Sequence, residues 1–95
     1  MKELAINDNY LVSQKKEIVA ADMDGETVMI SIENGKYYAI DTIGSRIWEL
    51  LAFPRSMVEV VRILREEYDV EYGQCQADVL EFLNYLRQEG LINLD

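Results

Sequence analysis

The segment NGKYYAI at residues 34–40 passes directly into a helix-like segment, GSRIWELL at residues 44–51. Asn-Gly between alternating apolar runs is the strongest short-range signal for a β-hairpin, because both residues tolerate the positive φ of a type I′ turn. We therefore predict a two-residue turn at 34–35 and a last sheet strand at Lys36–Ile40. The helix that follows leaves the outer edge of this strand open, and a peptide can add to such an edge as a further strand.

The predicted turn also sets the register of the hairpin. It pairs Glu33 with Lys36, Ile32 with Tyr37, Ser31 with Tyr38, Ile30 with Ala39, and Met29 with Ile40. One face of the hairpin then carries Val28, Ile30, Ile32, Tyr37 and Ala39, and the other carries Met29, Ser31, Glu33, Lys36, Tyr38 and Ile40. Since apolar side chains lie on both faces, we expect both to be at least partly covered.

Three helices are predicted after the sheet. The first begins near Thr42 as the N-cap and ends before Pro54, and the second opens with the capping box Ser56–Glu59. The third runs from Gln74 or Cys75 to Glu89, followed by a C′ glycine, with its inward positions at Val79, Phe82, Leu83 and Leu86. The segments Tyr10–Val12 and Ile18–Ala20 are interpreted as a broken first strand. The predicted fold is α+β and winged helix-turn-helix-like, with a three-stranded antiparallel sheet followed by three helices in one domain, residues 1–95.

Composition excludes several classes of function. Eighteen acidic and nine basic residues give a net charge of −9, which repels phosphate backbones and anionic lipid headgroups. On the third helix, Asp78, Glu81 and Glu89 stand against the single cation Arg87, so a DNA-reading role is not expected. Because the N-terminus also lacks the apolar core of a signal peptide, we expect a cytoplasmic protein that binds neither nucleic acid nor membrane.

The residue types present also argue against catalysis. The chain has no histidine and one cysteine, which rules out Ser-His and Cys-His nucleophiles, histidine metal sites and internal disulfides. Cys75 is interpreted as a partly buried helix-cap residue, and Trp48 as core. Tyr37 and Tyr38 both suit a half-buried sheet surface, so one of them is also compatible with ordinary core packing. We expect no enzyme activity, no cofactor and no metal.

Several short patterns in order carry a family resemblance. They are NGKYYAID at 34–41, Gly44 with IWELL at 47–51, ILREEYDV at 63–70, and Asp78-Val79 with Phe82-Leu83, Leu86 and GLI at 90–92. Together they resemble the PqqD-like family, whose members are peptide-binding modules called RiPP recognition elements. These modules hold the leader segment of a ribosomally made precursor peptide for modifying enzymes. The acidic, histidine-free chain is most similar to the stand-alone members of lasso-peptide pathways.

The resemblance implies a site and a set of partners. The leader would lie as an added antiparallel strand between the third strand and the third helix. The residues implied at this site are Lys36, Tyr37, Tyr38, Ala39, Ile40, Asp78, Val79, Phe82, Leu83 and Leu86. The chain would do no chemistry and would present the precursor to a leader peptidase and a cyclase. The alternative is an assembly or scaffold role, in which the same sheet edge pairs with another protein.

Overall fold

The computed structural model of the protein describes residues 6–95; residues 1–5, where the sequence predicts no signal peptide, lie outside the described residues. The strands are β1 (Val12–Gln14), β2 (Val19–Met23), β3 (Glu26–Ser31), β4 (Lys36–Ile40) and β5 (Ile92–Leu94), and the helices are α1 (Thr42–Leu50), α2 (Met57–Glu67) and α3 (Tyr72–Gln88). The antiparallel sheet β2-β3-β4 followed by three helices confirms the predicted α+β fold. A second, two-stranded sheet pairs β1 with β5.

The register of the β3–β4 hairpin differs from the prediction by two residues. Met29 pairs with Tyr38 and Ser31 with Lys36, so residues 32–35 form a four-residue loop in which only Gly35 has a positive φ, 66°. The predicted two-residue turn at Asn34-Gly35 is therefore wrong. Asn34 is instead part of the longer loop, where its backbone N–H donates to Ser31 Oγ. A shift of two residues leaves every side chain on its predicted face, because the period of a strand is two.

The two-residue hairpin turn lies one strand earlier in the chain. Asp24 and Gly25 have φ of 56° and 84°, as a type I′ turn requires, and Met23 pairs with Glu26 on either side of them. The predicted broken first strand is also wrong. Its two halves are separate strands in different sheets: β1 pairs with the C-terminal β5, whereas β2 pairs with β3.

The hydrophobic core lies on one face of the three-stranded sheet. Met29, Tyr38 and Ile40 are buried there against the helices, together with Ser31. The opposite face is open: Tyr37 is 79% exposed and Val19 55% exposed. The expectation that both faces are at least partly covered is therefore wrong for this second face, whose apolar residues have no covering layer among residues 6–95.

The helices begin at side-chain caps and end at recognisable signals. Asp41, rather than Thr42, is the N-cap of α1, because its carboxylate accepts from the Gly44 N–H at 2.8 Å. Ser56 caps α2 as predicted. The α3 helix begins at Tyr72, earlier than predicted, since Glu71 accepts from the Gln74 N–H.

The end of α3 leads the chain back into the core. The N–H of Leu91 donates to the Leu86 carbonyl and that of Gly90 to the Arg87 carbonyl, which is a Schellman motif with Gly90 at φ 72°. The predicted C′ glycine is confirmed.

Among the described residues, no helix has the length and apolar character needed to cross a membrane.

Candidate peptide-binding cleft

The β4 strand is an edge of the three-stranded sheet, since the strand order is β2-β3-β4. At its C-terminal end the Ser45 hydroxyl accepts from the Thr27 N–H at 2.8 Å and donates to the Ile40 carbonyl at 3.2 Å. Ser45 thus bridges the paired residues Thr27 and Ile40 in place of a ladder bond. Main-chain groups alternate in direction along a strand, so Tyr38 directs its N–H and C=O toward β3. By the same alternation, the main-chain groups of Tyr37 and Ala39 point to the open edge.

The α3 helix runs beside this edge on the core side of the sheet. The rings of Tyr38 and Tyr85 meet edge to face, with centroids 6.4 Å apart. The Tyr38 hydroxyl donates to Glu89 Oε1 at 2.8 Å and accepts from Asn34 Nδ2 at 2.9 Å. Asn34 Nδ2 also donates to the Glu89 carbonyl at 2.7 Å. These bonds hold the β3–β4 loop against the end of α3.

We call the space between the open edge of β4 and the Asp78, Phe82 and Tyr85 side of α3 the strand–helix cleft.

The other end of the strand–helix cleft lies where β4 passes into α1. A Cβ added to Gly44 would overlap Cγ2 of Ile40 and would lie 3.2 Å from Cζ of Phe82. Glycine at this position therefore lets strand, first helix and third helix approach closely. Beside this junction lies a cavity of about 430 Å³, whose lining includes Ile43, Ile47, Leu64, Val79 and Phe82. The cavity is large enough for an apolar side chain of a bound peptide.

The charged residues around this cavity are all acidic. Asp41, Asp78 and Glu81 line it, and no lysine or arginine does. Asp41 is held as the cap of α1, and Asp78 Oδ1 accepts from Gln74 Nε2 at 2.8 Å. An apolar pocket with carboxylates at its rim favours a peptide residue that is apolar or aromatic and has a lysine or arginine nearby.

The structure places the predicted site residues in different parts of the cleft and of the sheet. Ile40 and Tyr38 are buried beside α3, and Phe82 is half-buried at the cavity, so these side chains lie at the cleft. Leu83 and Leu86 are completely buried in the core, so a bound peptide does not reach them, whereas Val79, nearly as buried, lines the cavity. Asp78 lies at the rim. Lys36 is exposed, and its Nζ lies 3.7 Å from Glu89 Oε1. Tyr37 and Ala39 point their side chains to the opposite face, so only their main-chain groups reach the edge.

Three residues at the cleft were not predicted. Tyr85, Glu89 and Gly44 each position one of its walls, through the contacts given above. A signal for the first two exists in the sequence, because Asp78, Phe82, Tyr85 and Glu89 recur at the i, i+4, i+7, i+11 spacing of one helix face. Gly44 gives no such signal, since its role depends on Phe82, which is distant in sequence, as well as on the nearby Ile40.

The one cysteine lies at the same cavity as a packed residue. Cys75 is buried, with Sγ 4.0 Å from the Val61 carbonyl, and burial raises the pKa of its thiol. A raised pKa leaves little thiolate at neutral pH, so the group is a poor nucleophile. Within residues 6–95, no cluster of three or more His, Cys, Asp or Glu residues is placed to hold a metal ion.

The chain matches a family profile described as Coenzyme PQQ synthesis protein D (PqqD) over residues 26–92. The matched segment contains β3, β4, all three helices and the whole strand–helix cleft. The chain therefore belongs to the PqqD-like family of RiPP recognition elements that its sequence resembles. No curated protein matches it in sequence.

Solved structures give the same fold. TbiB1 in complex with the TbiA(beta) leader peptide is 31% identical, with a TM-score of 0.79 over 85% of this chain and 94% of that one. A lasso peptide synthetase B1 complexed with the leader peptide is 23% identical, with a TM-score of 0.76 over 86% and 96% of the two chains. The solution structure of the PqqD truncation of Methylobacterium extorquens PqqCD, described as a stand-alone RiPP recognition element, is 16% identical, with a TM-score of 0.78 over 94% and 95%.

Proposed function

We propose that the protein binds the leader segment of a ribosomally synthesised precursor peptide by β-strand addition in the strand–helix cleft. The observation that carries this proposal is the open edge of β4, with α3 and an apolar cavity beside it. A strand added there receives main-chain hydrogen bonds from Tyr37 and Ala39 and places alternate side chains against Phe82 and Tyr85. That TbiB1, 31% identical, was solved with a leader peptide supports the same class of ligand.

The strand–helix cleft can supply enough free energy for micromolar binding. Each main-chain hydrogen bond contributes a net of about 0.5–1.5 kcal/mol and does not distinguish between sequences. One or two buried apolar leader side chains contribute about 1.5–3 kcal/mol each and provide the selectivity. These reach the roughly −8 kcal/mol of a micromolar complex when the cost of ordering the leader is modest. A rigid cleft, braced by Tyr38 and Glu89, keeps the protein's share of that cost low.

In lasso-peptide maturation, the bound precursor would be delivered to a leader peptidase and a cyclase. The protein's own role in this proposal is to hold the leader and let the core segment of the precursor extend from the cleft. An antiparallel leader strand begins near Ile40 and leaves the cleft near Lys36 and the β3–β4 loop. The chemistry then belongs to the partner enzymes, and the protein needs no nucleophile or metal of its own.

The test is a fluorescence-polarisation titration of the purified protein with a labelled leader peptide from the precursor encoded beside it, repeated with a scrambled leader. We expect micromolar or tighter binding that is lost on scrambling. Equal affinity for both peptides, or no binding by a folded sample, would contradict the proposal. A mass that rises with protein concentration would then favour the assembly role, in which the edge of β4 pairs with another copy.

A further inference from the structure

A second pocket, of about 450 Å³, lies on the exposed face of α2 beside the start of α3. We call it the α2 pocket, and its lining consists of Val58, Arg62, Arg65, Glu66 and Tyr72. The first three recur at i, i+4, i+7 along α2, so they lie on one face of that helix. Val58 is 46% exposed and Tyr72 is 44% exposed. The pocket therefore offers apolar and aromatic surface together with two cations.

Arg65 is held in a fixed position at this pocket. Its guanidinium carbon Cζ lies 5.3 Å from the centre of the Tyr72 ring, and its Nε donates to the Val70 carbonyl at 3.4 Å. Contact with an aromatic ring orients the plane of a guanidinium. A guanidinium oriented in this way is suited to bind a carboxylate through two parallel N–H bonds, because little side-chain freedom is lost on binding.

Arg62 is the more exposed cation of the pocket. Its Nη1 lies 4.0 Å from Glu66 Oε2, and the two side chains are 65% and 64% exposed. An ion pair at this distance and exposure contributes little to stability. Arg62 can therefore exchange Glu66 for the carboxylate of a partner at small cost, and the pocket then holds two charge-assisted contacts side by side.

The α2 pocket and the cavity of the strand–helix cleft carry opposite charge, although one short connection separates them. Val70, between α2 and α3, lines that cavity and also gives its carbonyl to Arg65. The described lining of the cavity contains three carboxylates and no cation, whereas the α2 pocket has two arginines and one carboxylate. The two sites therefore select peptide segments of opposite charge.

The residue types of the α2 pocket identify what it binds. The chain has a net charge of −9, so two arginines on one helix face are a local exception to its field. At physiological salt, screening limits charge interactions to about 8 Å, so a bound segment senses these arginines more than distant carboxylates. Arg and Tyr are also enriched at the centres of protein interfaces. The pocket fits a protein segment with carboxylates beside an apolar side chain.

We propose that the α2 pocket binds an acidic segment of a leader-processing enzyme; the choice of enzyme class rests on the proposed function. Carboxylates of this segment pair with Arg62 and Arg65, and an apolar neighbour packs on Val58. Because the α2 pocket lies outside the strand–helix cleft, the enzyme and the leader occupy the protein at the same time. The protein then brings precursor and enzyme together without either displacing the other.

The experiment uses the full chain with, in turn, the leader peptidase and the cyclase of the same pathway. Arg62→Glu reverses the exposed cation of the pocket, and Arg65→Lys keeps the charge but removes the planar guanidinium. Lys16→Glu is the matched control, because it makes the same change of charge as Arg62→Glu at an exposed residue in the turn before β2. Biolayer interferometry measures enzyme affinity with and without saturating leader, and polarisation measures leader affinity. Circular dichroism and a thermal melt establish that each variant is folded.

We expect Arg62→Glu to lose at least about tenfold in affinity for one of the enzymes, and Arg65→Lys to lose about threefold. Both variants should bind leader within about twofold of wild type, since the cleft is unchanged. Lys16→Glu should match wild type in both assays, and saturating leader should not weaken enzyme binding.

Three results would overturn the enzyme site. They are enzyme affinity that Arg62→Glu leaves unchanged, an equal loss in Lys16→Glu, and no binding of either enzyme by the wild-type protein. A loss of affinity for the precursor in Arg62→Glu, with enzyme binding unchanged, would assign the α2 pocket to the peptide instead. Failure of the wild-type protein to bind leader would count against the proposed function, in a separate assay.

Discussion

The hydroxyl of Tyr38 donates to Glu89 Oε1 across 2.8 Å, and this bond joins β4 to the C-terminal end of α3. Asn34 completes the joint by donating to both the Tyr38 hydroxyl and the Glu89 carbonyl. The two walls of the strand–helix cleft are therefore held at a fixed separation at this end. The opposite end is set by Gly44, where Ile40 and Phe82 approach over α1.

Removing the Tyr38 hydroxyl tests the hydrogen bonds that join β4 to the end of α3. Tyr38→Phe keeps the ring contact with Tyr85 but loses both hydrogen bonds, so we expect leader affinity to fall by about threefold to tenfold and the thermal midpoint by about 2–5 °C. Tyr37→Phe is the control, because Tyr37 is 79% exposed on the face of the sheet opposite the core. An unchanged leader affinity in Tyr38→Phe would show that the joint does not shape the cleft.

Burial also predicts a pH dependence for Tyr38. Desolvation raises the pKa of its phenol above the usual value of 10.0, and the Glu89 carboxylate adds to the rise. A raised pKa in the folded protein means that the stabilisation is fully present below about pH 10 and is lost as the pH rises through the folded value. An ultraviolet titration should show a step of tyrosine ionisation above pH 10 that Tyr38→Phe removes. The same titration with Tyr37→Phe should keep it.

Proline at Ala39 tests strand addition itself. The main-chain groups of Ala39 point to the open edge, so Ala39→Pro removes an outward N–H without removing a ladder bond to β3. We expect a folded protein whose leader affinity falls at least about tenfold, because the ring also blocks the approach of another strand. Ala39→Val keeps the N–H and should bind leader normally. Wild-type affinity in folded Ala39→Pro would exclude β-augmentation at this edge.

The two phenylalanines of the chain provide a matched pair for testing the cavity. Phe82→Asp replaces a half-buried wall with a carboxylate among Asp41, Asp78 and Glu81, so we expect leader affinity to fall at least about tenfold. Phe53→Asp changes a residue that is 70% exposed between α1 and α2 and should leave leader binding unchanged. After circular dichroism has shown native helix content, both variants are titrated with labelled leader, and the two affinities are compared. Equal loss in the two would mean that net charge, not the cavity, controls binding.

The sequence predicts the elements of the site well and their contacts less well. The edge position of Lys36–Ile40 and the buried helix positions Leu83 and Leu86 follow from local pattern, which survives the two-residue error in register. The turn was misplaced because Asn34 forms hydrogen bonds with Ser31, Tyr38 and Glu89, and its bond to Glu89, 55 residues away, is not visible in the local sequence pattern. Asp24-Gly25 adopts the type I′ turn instead, with φ of 56° and 84°.

The role of Gly44 is the least predictable feature of the site and gives the last prediction. In an exposed helix, Gly→Ala stabilises by up to about 1 kcal/mol. At Gly44 the new methyl would overlap Ile40 and press against Phe82, so we expect Gly44→Ala to destabilise by about 1–3 kcal/mol and to weaken leader binding. Gly73→Ala is the control: it also lies in a helix, and the atoms nearest to its added Cβ, at 3.1 Å, are the carboxylate oxygens at the end of the flexible Glu71 side chain. Urea unfolding should therefore show a clear loss of stability for Gly44→Ala and a neutral or slightly stabilising change for Gly73→Ala. If Gly44→Ala instead gains stability and binds leader normally, the close approach of β4, α1 and α3 does not set the width of the cleft.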